Sequence, residues 1–220
     1  MVSHDLRTPL TSILGAIDLI SVGAVGPVPE EDKPYLQDAS QNCGRLIDLI
    51  NDLLDIDKIE AGKMQLSKET VVLKDMLKKA VEQSGRPIQI ENIENAASNS
   101  VEADPERLTR AVSGIIAFSV ARKARRQKLT IQKLPEGIAV TLRDDAAPLS
   151  ADQKASLLDR DSATAISSAP TAEANAWLLL TLAFRIIESH DGKFAIFSNE
   201  TGNKISLLLQ PLNANSSNRA

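Results

Sequence analysis

From Leu10 onward the apolar residues fall at Leu10, Ile13, Leu14, Ile17 and Ile20, the spacing of one face of an α-helix. The segment SVGAVGPVPEED stops that helix, because Gly23, Gly26, Pro27 and Pro29 oppose continuous helical backbone, and Pro29 followed by acidic residues suits the start of a second helix. This second helix is predicted from about Glu30 to about Glu60, with Leu36, Ala39, Cys43, Leu46, Ile50 and Leu53 near a heptad stripe, widened by Leu49 and Ile56. Gly62 is a natural stop. Two helices of this length present more apolar surface than one hairpin covers, so the pattern predicts a homodimer in which two hairpins form a four-helix bundle.

After Lys63 the periodicity changes. The short runs PIQIENI, KLTIQKL, GIAVTLRD, KFAIFS and KISLLLQPL predict strands, and VVLKDMLKKAVEQ, DPERLTRAVSGIIAFSVARKA and NAWLLLTLAFRIIESH predict helices. The mixture implies an α/β sandwich with helices on one face of a mixed sheet. The polar, small-residue stretch from Asp159 to Ala176 reads as a mobile loop, and NANSSNRA as a disordered tail. The domain organisation expected is a helical hairpin over 1–66, the sandwich over 67–212 and a tail over 213–220. No internal repeat is present in the sequence.

Composition narrows the class. A chain of 220 residues with 43% hydrophobic and 25% charged residues has ordinary globular composition, enough for two modest cores. The longest apolar run, Ala176 to Phe184, is short of the roughly 20 residues that cross a bilayer, and the sequence shows no basic region followed by an apolar stretch. No membrane span is expected within these residues. The single cysteine, Cys43, forms no internal disulfide and reads as a small buried hydrophobe, compatible with the cytoplasm. A net charge of −4 and 3% aromatic residues argue against nucleic-acid binding. Arg122, Lys123, Arg125, Arg126 and Lys128 are a local exception, read as a solvated helix end rather than an anion site.

His4 sits in an informative setting. At about 100° per residue it lies roughly 140° from the centre of the apolar stripe, with Thr8 about 40° from His4, so both are expected to face outward. Asp5 is adjacent, and a carboxylate beside an imidazole orients it, holds its tautomer and raises its basicity. A neutral imidazole nitrogen presented in this way is a phosphoryl nucleophile. An exposed His beside an Asp is, on its own, most often just surface. The surrounding string changes that reading: SHDLRTPLTSI closely resembles the phosphoacceptor box of class I histidine kinases. DLLDIDKIEAGKMQL, about 50 residues further on, resembles the end of the second helix of the same dimerisation and phosphotransfer domain.

The resemblance implies roles. His4 is the phosphoacceptor, Asp5 its acid/base neighbour, and Thr8 the residue that positions water for dephosphorylating a bound response regulator. Arg7 and Pro9 fit the same box: Arg7 either meets the acidic pocket or phosphoryl oxygens of a partner or is a plain surface arginine, and Pro9 is expected to bend the helix below His4.

The elements after Lys63, as far as Leu212, resemble the catalytic and ATP-binding domain of the same kinases, but the nucleotide motifs differ. The two asparagines of the family's first box, which hold Mg²⁺ and phosphates, correspond to Gly114 and Phe118, neither of which ligates a metal. In the next box Asp144 is retained, while the glycines read Ala146 and Pro148. Asp144 is either an acceptor for an adenine amine or a strand-end aspartate in a turn. In the glycine-rich box after the loop, Asn175, Trp177 and Leu179 replace glycines that would let backbone amides approach phosphates. His190, Asp191 and Gly192 match the family's turn after that helix, and His190 reads as structural.

Three readings follow. The one favoured is a phosphotransferase in which His4 exchanges a phosphoryl group with the aspartate of a response-regulator receiver domain. Mg²⁺ then sits on the receiver, no cofactor is bound by this chain, an upstream kinase is a further partner, and neither nucleic acid nor membrane is contacted. The alternatives are an ATP-dependent autophosphorylating sensor kinase and a non-enzymatic scaffold that regulates another kinase. Only three residues precede His4, so a longer receptor or relay protein is expected.

Overall fold

The structure is a computed structural model that describes residues 2–91, 99–158 and 171–211, with side chains described over 7–91, 99–155 and 175–211. The chain divides into two compact units, Met1–Ala61 and Gly62–Ala220.

The first unit is a helical hairpin. Helix α1 (Val2–Ser21) carries Pro9 in its interior, and α2 runs over Lys33–Glu60. The second helix begins after Asp32, later than the expected Glu30, because Pro34 rather than Pro29 occupies its first turn, where a missing N–H costs nothing. It ends at Ala61, followed by Gly62 at φ +64°, the left-handed stop expected of glycine. Three contacts set the antiparallel register: Arg7 Nη2 donates to Asn51 Oδ1 at 2.6 Å, Cys43 Sγ to the Leu10 carbonyl at 3.4 Å, and Ser40 Oγ to Asp18 Oδ1 at 3.1 Å. Cys43 and Ile56 are buried, as are Asp52 and Asp55, whereas Ile13, Ile20, Leu46 and Leu53 of the apolar stripes stay exposed.

The second unit is the expected α/β sandwich. In chain order it contains β1 (Glu69–Val72), α3 (Leu73–Ser84), β2 (Gln89–Glu91), β3 (Ser100–Ala103), α4 (Pro105–Ala121), β4 (Gln127–Leu134) and β5 (Gly137–Asp144). These are followed by α5 (Ala151–Leu158), α6 (Thr171–Ser189), β6 (Lys193–Asn199) and β7 (Gly202–Leu209). A five-stranded sheet has the order β2-β4-β5-β7-β6, with β2 parallel to β4 and the remaining pairs antiparallel. A second sheet pairs β1 with β3 antiparallel. Val112 and Ile115 of α4 meet Leu129, Val140, Leu142, Ile205 and Leu207 on the inner face of the larger sheet.

Three expectations are corrected. Val71 and Val72, read into the helix that follows, belong to β1, because they pair with Val101 and Ser100 of β3, a partner unrecognised in the sequence. Ala151–Leu158 forms α5, capped by Ser150, whose hydroxyl accepts from the Gln153 N–H at 3.1 Å while Gln153 Oε1 accepts from the Ser150 N–H at 2.9 Å. The loop expected over 159–176 is shorter, since α6 begins at Thr171. Residues 159–170 and the tail 213–220 lie outside the described residues.

The β6–β7 turn shows how tightly the sheet end is built. Gly202 has φ +132°, and a Cβ there would stand 1.9 Å from the Asp144 carbonyl oxygen. Gly202→Ala is expected to cost roughly 2–3 kcal/mol, lowering Tm by about 5–10 °C. Thermal unfolding followed by circular dichroism checks this, with Gly15→Ala, which meets no atom within 4 Å, as the neutral comparison.

Candidate functional site

The phosphoacceptor segment is helical throughout, since His4, Asp5, Arg7, Thr8 and Pro9 all lie in α1. The side chains of His4 and Asp5 lie outside the described ones. Pro9 has no N–H to give to the carbonyl four residues earlier, that of Asp5, so that α-helical hydrogen bond is missing from the turn carrying the histidine. Thr8 is exposed. Arg7 is exposed but engaged, its guanidinium bonded to Asn51 of α2, so here it acts as a strut of the hairpin. Asn51 carried no signal in the sequence as a partner of the box.

In the second unit the positions that the resemblance assigned to nucleotide lie where α4 and α6 pack together. Gly114 faces α6 so closely that a Cβ on it would stand 2.9 Å from the Leu179 carbonyl oxygen. One turn on, Phe118 is 1% exposed and meets Trp177 edge to face, with ring centroids 5.1 Å apart and planes at 70°. That geometry sets the positive ring edge of one against the negative face of the other. The Arg122 guanidinium lies over the Phe118 ring, 5.5 Å from its centroid, and donates to the Ala147 carbonyl at 2.7 Å. Ala176 and Leu180 are buried beside this pair.

Asp144, at the end of β5, is 8% exposed. Its Oδ1 accepts from Asn203 Nδ2 at 2.9 Å and from the Ala146 N–H at 3.1 Å, a short turn stitched to β7. Asn203 also donates to the carbonyls of Ala146 and Ala147 and accepts from Ser198 Oγ, a linking role unmarked in the sequence. Asp145 clasps the start of β4: the Arg126 backbone N–H, then that of Arg125 and the Arg126 side chain, hold its carboxyl down to about 2. The basic cluster is thereby largely spoken for. Arg126 pairs with Asp145, Lys128 with Glu91, and Lys123 takes φ +64° just past the end of α4. Among the described residues no group of three or more His, Cys, Asp or Glu side chains is arranged to share a metal ion.

His190 is buried in a framework that fixes its tautomer. Nε2 accepts the Asp104 backbone N–H at 3.0 Å, so the ring proton sits on Nδ1, 2.8 Å from the Ile186 carbonyl. Asp104 in turn caps α4 through the Arg107 N–H and holds the Ser67 N–H. Burial pushes the imidazole below its usual 6.5, partly opposed by the Ile186 carbonyl. The unfolded chain therefore binds the proton more tightly than the folded one. The stability His190 contributes is complete above about pH 6.5 and is lost as pH falls below it toward the folded-state value. Urea midpoints are expected to drop between about pH 6.5 and 5, and His190→Gln to flatten that slope; equal slopes in both proteins would contradict this.

Comparison with known proteins accords with this geometry. Residues 1–62 match the His Kinase A (phospho-acceptor) domain. The cell-division control histidine kinases PdhS of Brucella ovis and Brucella suis are 38% identical over 81 residues, 36% of this chain and 8% of each relative's length. The chain thus matches only a small part of those curated relatives. Among solved structures, Acinetobacter baumannii histidine kinase AdeS superposes with a TM-score of 0.61 at 15% identity, covering 96% of this chain and 98% of AdeS. Full-length ShkA in complex with AMPPNP gives 0.71 at 19% identity, covering 96% and 44%. At such identities the likeness establishes the fold. Residues 1–62 thus match a phospho-acceptor domain family, and the fold of the chain is similar to that of these histidine kinases. No helix among the described residues is long and apolar enough to cross a membrane.

Proposed function

We propose that this chain is a histidine phosphotransferase of two-component signalling, whose His4 exchanges a phosphoryl group with the aspartate of a response-regulator receiver domain and whose own nucleotide site is filled by side chains. In the forward step the unprotonated imidazole nitrogen of His4 attacks phosphorus. The N–P bond forms as the acyl-phosphate O–P bond breaks, and the receiver aspartate leaves as a carboxylate. Asp5 steadies the proton on the other ring nitrogen. Such transfer depends mainly on alignment and charge neutralisation, which Mg²⁺ on the receiver supplies. Thr8, exposed and one turn further along α1, orients water for the hydrolytic branch.

The observation that carries the reading is the seam between α4 and α6. Gly114 abuts the Leu179 backbone and Phe118 is locked against Trp177, so the expected Mg²⁺ and phosphate positions offer no oxygen ligand and no glycine-lined approach. These residues do not fit Mg–nucleotide. The exposed residues of the hairpin's apolar stripes, Ile13, Ile20, Leu46 and Leu53, support pairing with a second copy into a four-helix bundle. Incubation with a radiolabelled phospho-receiver is expected to move label onto the chain; wild-type protein that takes up none, across a panel of receivers, would defeat the proposal.

Retention of Asp144 at the end of β5 favours a second reading, an autophosphorylating kinase. Labelled ATP separates the two, since a kinase incorporates label at His4 without any receiver.

A further inference from the structure

The outer face of the five-stranded sheet, opposite α4 and α6, carries an unusual row. Strand register places Lys128 of β4 directly opposite Arg143 of β5, Arg143 opposite Lys204 of β7, and Lys204 opposite Phe197 of β6. With strands about 4.8 Å apart, three cations stand within about 10 Å on one face. Like charges in directly opposed positions destabilise a sheet, and here there are two such pairs in succession. Only Lys128 has a carboxylate partner, Glu91. The Lys204 ammonium rests 5.7 Å from the Phe197 ring centroid, and the exposed central guanidinium of Arg143 makes no hydrogen bond or ion pair among the described residues. The row borders a cleft of about 450 Å³ whose one carboxylate, Asp144, is turned to Asn203.

The adjacent row is of the opposite character. Thr130, Thr141, Ser206 and Ala195 align across the same strands, and Thr141 and Ser206 bond to each other at 3.0 Å. These side chains are small, the central hydroxyls are mutually satisfied and Thr141 is buried, so this row sets no competing polar group beside the cations. Residues 62–220 are net basic while the whole chain is −4. Nucleic acid is disfavoured, because the one exposed ring of the patch, Phe197, already has Lys204 over its face.

We infer that the outer sheet face is a docking surface for an acidic helical segment of a partner protein, with carboxylates set against Arg143 and Lys204, beside the Lys128–Glu91 pair. Fluorescence anisotropy of a labelled helical peptide with Glu at every fourth position, titrated with the full chain, tests this. Arg143→Glu/Lys204→Glu is expected to weaken binding about tenfold or more, and the milder Arg143→Gln/Lys204→Gln to weaken it less. Lys78→Glu/Lys79→Glu on α3, an equal change in net charge, should leave it unaltered. Raising salt from about 50 to about 300 mM should weaken wild-type binding. No binding, or equal losses in the sheet and α3 variants, would overturn the inference. So would tighter, Arg143-dependent binding of a DNA oligonucleotide or of phosphatidylserine vesicles.

Discussion

His4→Ala is expected to abolish label uptake from a phosphorylated receiver, a loss of at least about 10³-fold, the scale on which removing a nucleophile acts. The label on wild type should be acid-labile and base-stable, as an N–P bond requires. Asp5→Asn should leave a slower transfer, since the amide neither accepts a ring proton nor raises the imidazole's basicity. Thr8→Ala should transfer normally but dephosphorylate the receiver more slowly, because only the hydrolytic branch needs a positioned water. A scaffold without chemistry would show none of these differences. Equal labelling of wild type and His4→Ala would place the phosphoryl group elsewhere.

The second large effect is predicted at the α4–α6 seam. Returning the two amides of the family's first nucleotide box, Gly114→Asn with Phe118→Asn, is expected to damage the fold rather than restore a site. Loss of the buried Phe118 ring alone costs about 3–5 kcal/mol, and the amide that replaces it enters an apolar niche beside Trp177. At Gly114 the new Cβ meets a backbone carbonyl at 2.9 Å, so α6 must shift. Together these should lower Tm by at least about 10 °C and leave no nucleotide binding. Phe118→Leu, which keeps an apolar occupant, should cost under half as much. If the double variant melts like wild type, the helices are not locked as described and the domain is free to accept a ligand.

Long helices were legible in the sequence because their burial is periodic. Leu73, Met76, Leu77 and Ala80 repeat at helical spacing on α3, as do Leu108, Val112, Ile115 and Ser119 on α4. All five strands of the large sheet were equally plain, since their apolar residues alternate or run continuously. The short β1 and β3 were missed because four residues define a strand only through a partner distant in sequence. The cap of α5 was readable, as Ser150 followed three residues later by Gln153 is a recognised start signal, but small residues around it masked the pattern.

At the site, the sequence marked Gly114, Phe118 and Trp177 as departures from a family motif. It did not show that Gly114 is itself required, because that depends on the carbonyl of Leu179 in another helix. Likewise His190 and Asp104, 86 residues apart, are joined only by the fold, and Arg7 finds Asn51 only because the hairpin closes. Local chemistry can be read from a string; contacts across elements need the tertiary register.

The central claim is that an active phosphoacceptor hairpin is joined to a nucleotide pocket occupied by its own side chains. Calorimetric titration of the chain with ATP in the presence of Mg²⁺ tests it most directly. The account predicts no saturable heat up to about 1 mM nucleotide, an affinity weaker than about −4 kcal/mol. One-to-one binding with a Kd of order 10 μM, lost in Asp144→Ala, would contradict it.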